Sequence, residues 1–238
     1  MDKGELSGKE EKAKHALLLS MAMDKNYIDR TDFDVLQPAI DFYEDHGSAT
    51  DKLRTYYYQG RIYQNAGNDA AAMESFVNSL DMGSESNDNL TKARILVAQS
   101  NIYYSLMKWE KVCDVNIEAA NYYNELGRTN NYVYCLLRCI GGYIQSNNFD
   151  KAKDLLGKCY QYTENLPELL ISEIYSYHLL YSVAANNFES VPLIIGEYKN
   201  KVSEENIDYL TVAGAYADIG AYDKAEDMLV RINTKSLE

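Results

Sequence analysis

Apolar and small residues fall along this chain at the i, i+3, i+4, i+7 spacing of a one-sided amphipathic helix. Tyr56, Gln59, Gly60 and Tyr63 show the pattern, as do Leu96, Gln99, Ser100, Tyr103 and Tyr209, Val212, Ala213, Tyr216. The slot four residues in is small in each case, which lets a neighbouring helix come close. Strand-like alternation never lasts, so no sheet is expected. The pattern predicts helices over 9–24, 33–46, 50–65, 69–82, 90–106, 109–126, 130–146, 149–163, 168–185, 188–200, 204–218 and 222–233. Three prolines, Pro38, Pro167 and Pro192, all stand where a helix begins and a missing N–H costs little.

The helical pattern itself repeats. Tyr63, Tyr103 and Tyr143 recur every 40 residues, each followed nine positions later by Ala72, Val112 or Ala152. Polar or Gly-Asn turns punctuate the units, and the small or branched residue after them gives the anchors Ala39, Ala72, Val112, Ala152, Val191 and Ala225. A period in this range is the mark of a solenoid, in which each helical hairpin hides its apolar stripe against the next. The expected fold is therefore all-α, an α-solenoid of about six antiparallel helix pairs. No linker divides the chain, so 1–238 reads as one repeat domain with units near 9–46, 50–82, 90–126, 130–163, 168–200 and 204–233.

Charge narrows the partners. A formal net charge of −13 repels phosphate backbones and anionic membranes, which argues against nucleic acid as a direct partner. No run approaches the ~18 apolar residues of a spanning helix. The charged N-terminus lacks the apolar stretch of a secretory signal. Taken as given, the chain suggests a cytoplasmic protein, or a periplasmic or envelope-associated one if a signal was removed from a longer parent. Cys113, Cys135, Cys139 and Cys159 lack paired metal-ligand spacing and read as small core residues. No metal or cofactor is expected.

Gly60, Tyr63, Ala72 and Phe76 together resemble the tetratricopeptide repeat, and Ala213, Tyr216, Ala225 and Leu229 follow the same order. Ile140 stands where that pattern has a small residue, Asn116 where it has a large apolar one, and Ser182 takes a tyrosine slot next to Tyr181. The stretches at 15–29 and 53–68 further resemble a poorly characterised group of such repeat proteins from Gram-negative bacteria, often envelope-associated. The tetratricopeptide resemblance covers nearly the whole chain and implies a right-handed superhelix, although the spacing of 39–40 residues between the middle anchors is longer than that family's usual repeat and implies helices longer by about a turn; it speaks to fold more than to function.

Phosphate-binding loops, dinucleotide fingerprints, zinc-protease helices and nucleophile elbows are all missing from the sequence. His15, His46 and His178 are scattered, and no enzyme is expected. The resemblance implies instead a concave surface built by the first helix of each pair. Carried over residue by residue, it offers Arg54, Tyr57, Arg61, Gln64 and Asn65, then Arg94, Val97, Asn101, Tyr104 and Ser105, then Tyr134, Leu137, Gly141, Ile144 and Gln145. Arginine forks and tyrosine rings are common binding anchors. The expected function is non-catalytic capture of a peptide or protein segment, with an acidic or C-terminal carboxylate group as the ligand's grip. Two other readings stay open. Arg54 and Arg61 could serve only as ion-pair partners for a neighbouring helix. The chain could also be the ligand-sensing or regulatory module of a larger envelope-associated protein.

Overall fold

The computed structural model describes residues 8–235, with side chains through 232. Twelve α-helices are found among the described residues, with no strand. The chain divides into two compact units, Met1–Leu106 and Met107–Glu238. The first holds α1 (Lys9–Lys25), α2 (Gln37–His46), α3 (Ala49–Asn65), α4 (Asp69–Met82) and α5 (Asn89–Ser105). Within it α1 pairs with α2 and α3 with α4, while α1, α3 and α5 lie side by side in sequence order. The second holds α6 (Trp109–Glu125), α7 (Thr129–Gln145), α8 (Phe149–Tyr160), α9 (Glu168–Ala184), α10 (Val191–Lys201), α11 (Tyr209–Asp218) and α12 (Tyr222–Lys235). There each helix packs on the next, and the first helices α7, α9 and α11 again adjoin in turn.

Packing follows the predicted register. All six anchors are buried, Ala39, Ala72, Val112, Ala152, Val191 and Ala225 showing at most 7% of their surface. In the first unit the small slot works by close approach. A Cβ added to Gly60 would sit 2.4 Å from the Phe76 ring, so the hydrogen side chain is what admits Phe76, itself fully buried. Burying a phenylalanine stabilises by roughly 1.5–3 kcal/mol, and adding bulk to so full a site costs about as much. At the matching register of the second unit, Ile140 and Leu156 stand where Gly60 and Phe76 do in the first, and both are buried.

The recurring tyrosines are not all core. Tyr216 is buried, but Tyr63, Tyr103 and Tyr143 are half-buried. Tyr63 meets Phe33 edge-on with centroids 5.0 Å apart. Tyr143 and Tyr216 each lie under a lysine eight residues later, Lys151 at 5.3 Å and Lys224 at 5.6 Å, so that slot doubles as a cation–π seat.

Some helix starts fall later than the pattern predicts. α2 begins at Gln37 instead of 33, because Pro38 sets its first turn. α11 begins at Tyr209 instead of 204, because Asp208 accepts the Thr211 N–H and caps the helix there. Residues 204–206 form a separate 3-10 turn, pinned by Glu168 on α9, which accepts from the Ser203 N–H and the Asn206 amide.

Candidate partner-binding face

α3 and α5 carry the candidate face of the first unit. The helical pitch divides their residues between interior and surface. Along α5, Ala93, Ile95, Leu96 and Ala98 are buried, while Arg94, Asn101 and Tyr104 are exposed and Val97 is half-exposed. Tyr104 shows 44% of its surface, large for a ring that could otherwise be hidden. Four of the positions named from the resemblance thus share one outward strip of α5.

α3 differs. Its candidate residues are engaged within the protein. Arg54 Nε donates to Asp88 at 2.7 Å, and Asp88 also caps α5 by accepting from the Thr91 N–H and hydroxyl. Burial pushes the Asp88 carboxyl up, but the Thr91 and Arg54 donors outweigh it and hold the group below the ordinary carboxylate value. Arg61 Nε donates to Asp24 on α1 at 3.1 Å, and its Nη1 to Gln64 at 2.6 Å. Asn65 donates to the Arg30 carbonyl at 3.2 Å and to Asp29 at 3.4 Å. Tyr57 is 5% exposed. Burial drives its phenol well above the usual value, and it stacks in the core beside Tyr58 and Phe76. Of the positions on α3, then, Tyr57 faces the interior and the two arginines tie hairpin to hairpin.

Those ties involve residues that sequence pattern did not single out: Asp24, Asp29, Arg30, Asp32 and Asp88. Arg30 grips Asp32 through both carboxylate oxygens, at 2.6 and 2.7 Å. With Asp24, Arg61 and Asn65 these residues line a cleft of about 20 Å³, room for roughly one water. The signal that could have found the acids is their spacing: Arg54–Asp88 and Arg61–Asp24 lie 34 and 37 residues apart, close to one repeat period. Wider depressions flank α1 and α2, one of about 530 Å³ edged by Lys9, Lys12, Asp34, Asp41, Phe42 and His46.

In the second unit Tyr134, on α7, is 40% exposed. It stands at the register of Arg54 and Arg94, with Leu137 buried and Gly141 half-exposed in the positions that follow. The histidines serve locally. His46 stacks on Phe42 with centroids 4.9 Å apart. His178 shares a 2.8 Å hydrogen bond with the Tyr160 hydroxyl. Among the described residues no group of three or more His, Cys, Asp or Glu could hold a metal, and no helix is long and apolar enough to cross a membrane.

No protein-family model and no curated protein matches the chain. Solved structures do. A Rap protein complexed with competence and sporulation factor aligns with a TM-score of 0.62 at 14% identity, over 96% of this chain and 66% of the other. The apo form of RapI aligns with a TM-score of 0.67 at 16% identity, over 94% of this chain and 62% of that one. The chain thus spans under two thirds of the length of these structures. At such identities the likeness is one of fold, and that fold is the tetratricopeptide-like helical repeat that the Gly60, Tyr63, Ala72, Phe76 pattern implied.

Proposed function

We propose that this chain is a non-catalytic protein-interaction module that captures a peptide or protein segment on the outward strip of its first helices. The observation that carries the reading is the α5 strip, where Arg94, Asn101 and Tyr104 are exposed on one line while the alternate residues fill the core. A rigid helix face with a cation, an amide and an aromatic ring gives a ligand three directional contacts without costing ordering entropy in the receptor. Within the second unit, α7 exposes Tyr134 at the register that Arg94 holds on α5. A similar fold is found complexed with competence and sporulation factor, which supports ligand capture as a use of this architecture.

The ligand's grip is an acidic side chain or C-terminal carboxylate, and Arg94 is the residue that receives it. Arg54 and Arg61 already hold Asp88 and Asp24, so they shape the wall and leave the bidentate contact to Arg94. The net charge of −13 makes a cation on this strip more discriminating, since anionic ligands are repelled elsewhere. The test is a peptide array of acidic decamers with free or amidated C-termini, followed by titration of binders against variants. Arg94→Ala and Tyr104→Ala are each expected to weaken binding by at least ~1 kcal/mol, about fivefold. A binder indifferent to both substitutions would remove the α5 strip as the site.

A further inference from the structure

α6 and α7 cross at two cysteines. The Cys113 thiol on α6 donates to the Cys139 carbonyl on α7 at 3.5 Å, and the Cys139 thiol donates back to the Cys113 carbonyl at 3.6 Å. Such a reciprocal pair requires each side chain to lie across the other residue's backbone. Gly142, one turn beyond Cys139, shows how close the helices come: a Cβ there would stand 2.8 Å from the Cys113 sulfur and 3.2 Å from the Trp109 carbonyl oxygen. Both thiols are fully or nearly fully buried. Small side chains and abutting backbones thus bring the two thiols together at one crossing, the kind of close approach that an interhelical disulfide requires.

We propose that Cys113 and Cys139 form a reversible dithiol–disulfide pair that staples α6 to α7 when the chain meets a low-molecular-weight disulfide. The Cys113 thiolate attacks one sulfur of the small disulfide, giving a mixed disulfide and releasing one small thiolate. The Cys139 thiol loses its proton to solvent and attacks the Cys113 sulfur, expelling the second small thiolate. Two protein thiols are oxidised and one small disulfide is reduced, its two expelled thiolates taking up the two protons the protein gives to the buffer, so no net proton is released. The Cys139 S–H hydrogen-bonds Cys113 and holds its thiol below the ordinary value, against the opposing effect of burial. The same contact, with burial and the other three cysteines nearby, pushes Cys139 up. Cys135 and Cys159 are pushed up to about 12 by burial; what sets Cys113 and Cys139 apart is their reciprocal contact across the crossing. The staple closes a loop of 26 residues and fixes the helix that carries Tyr134 and Gly141 against its neighbour.

The experiment refolds the full chain from urea in buffers of graded oxidised-to-reduced glutathione ratio, so that access to buried sulfur is not limiting. Samples are alkylated, weighed intact and mapped by peptide. The expected product has two hydrogens fewer, a single Cys113–Cys139 link and alkylated Cys135 and Cys159. Its melting temperature is expected to rise by about 5–10 °C, the size appropriate to such a loop. The Cys135→Ala/Cys159→Ala double variant should keep both the link and the shift, and Cys113→Ala or, should that fail to fold, Cys139→Ser should lose both. Four alkylated thiols at every ratio, a bridge involving Cys135 or Cys159, stable glutathione adducts, or a Cys113–Cys139 link without a melting shift would each overturn the proposal.

Discussion

One capping motif occurs in both units and is completed differently in each. In the first, Asp88 accepts from the Thr91 N–H and hydroxyl and is joined by the Arg54 guanidinium of α3. In the second, Asp208 accepts from the Thr211 N–H and hydroxyl and is joined, at 3.4 Å, by the Ser176 hydroxyl of α9. The surroundings follow suit. The first unit ties its helices with Arg54–Asp88 and Arg61–Asp24. Around Asp208 in the second the neighbours are hydroxyls and rings: Tyr175 stacks on Tyr198 with centroids 5.1 Å apart, and the Tyr198 hydroxyl shares a 2.5 Å hydrogen bond with Ser172 and accepts the Asp208 N–H. The same hairpin geometry thus tolerates either an ionic or a neutral joint. In the ionic joint each arginine is already matched to a carboxylate, Arg54 to Asp88 and Arg61 to Asp24.

The largest expected effect comes from removing the two caps. Asp88→Ala loses a helix cap, worth about 1 kcal/mol, and leaves the half-buried Arg54 without its carboxylate, which adds roughly another 1–2 kcal/mol. Asp208→Ala loses the same cap but only a long neutral hydrogen bond, and should cost about 1–1.5 kcal/mol. Denaturant unfolding gives the totals, and hydrogen exchange should show the loss of protection centred on α3 and α5 in one variant and on α9 and α11 in the other. Equal losses would dissolve the distinction between the joints. Raising salt should narrow the gap, since only the ionic joint is screened.

Acid should separate the units next. His178 is held below the usual imidazole value by burial, with Glu197 opposing, and it lies among Tyr160 and Tyr181. Folding favours the neutral ring. Its contribution is complete above the unfolded value near ~6.5 and is lost as the pH falls through the lower folded one. Asp88 behaves as a lowered carboxylate: its contribution is complete above ~3.9 and is lost only as pH falls through the folded value. Protection around α8 and α9 should therefore decline in mild acid, while α3 and α5 hold until the pH is far lower. His178→Phe should remove the first decline and leave the second unchanged.

These contrasts mark what the sequence could disclose. Hairpins, anchors and the Gly60–Phe76 contact were legible because each depends on residues within one unit, at spacings the helix imposes. The ties were not. Asp88 is one of 36 acidic residues, and only the stacking of successive hairpins decides which of them Arg54 meets. Tyr57 misled for a related reason. Its register was that of a surface position, but the doublet Tyr57-Tyr58 puts two rings where the first unit had space for both inside, and both are buried. On α5, Val97 holds that register and is half-exposed, between the exposed Arg94 and Asn101.

The smallest predicted effect concerns the backbone, where the repeat is most regular. The turn between the helices of each pair holds one left-handed residue: Tyr27, Gly67, Met107, Asn147, Asn186 and Gly220, all with φ between 54° and 76°. Gly67 and Gly220 take this conformation freely, and asparagine tolerates it, but tyrosine crowds its own Cβ against the following carbonyl. Tyr27 has little to offset that strain, because its side chain is 91% exposed. Tyr27→Gly should therefore stabilise the first unit, by about 1 kcal/mol less whatever the added freedom of the unfolded chain takes back. Asn147→Gly, at the matching turn of the second unit, should change stability by a few tenths of a kcal/mol at most, because asparagine already accepts this conformation at small cost. If Tyr27→Gly destabilises, the exposed ring is holding the α1–α2 turn through contacts worth more than the strain, and residue 27 is a structural tyrosine in spite of its exposure.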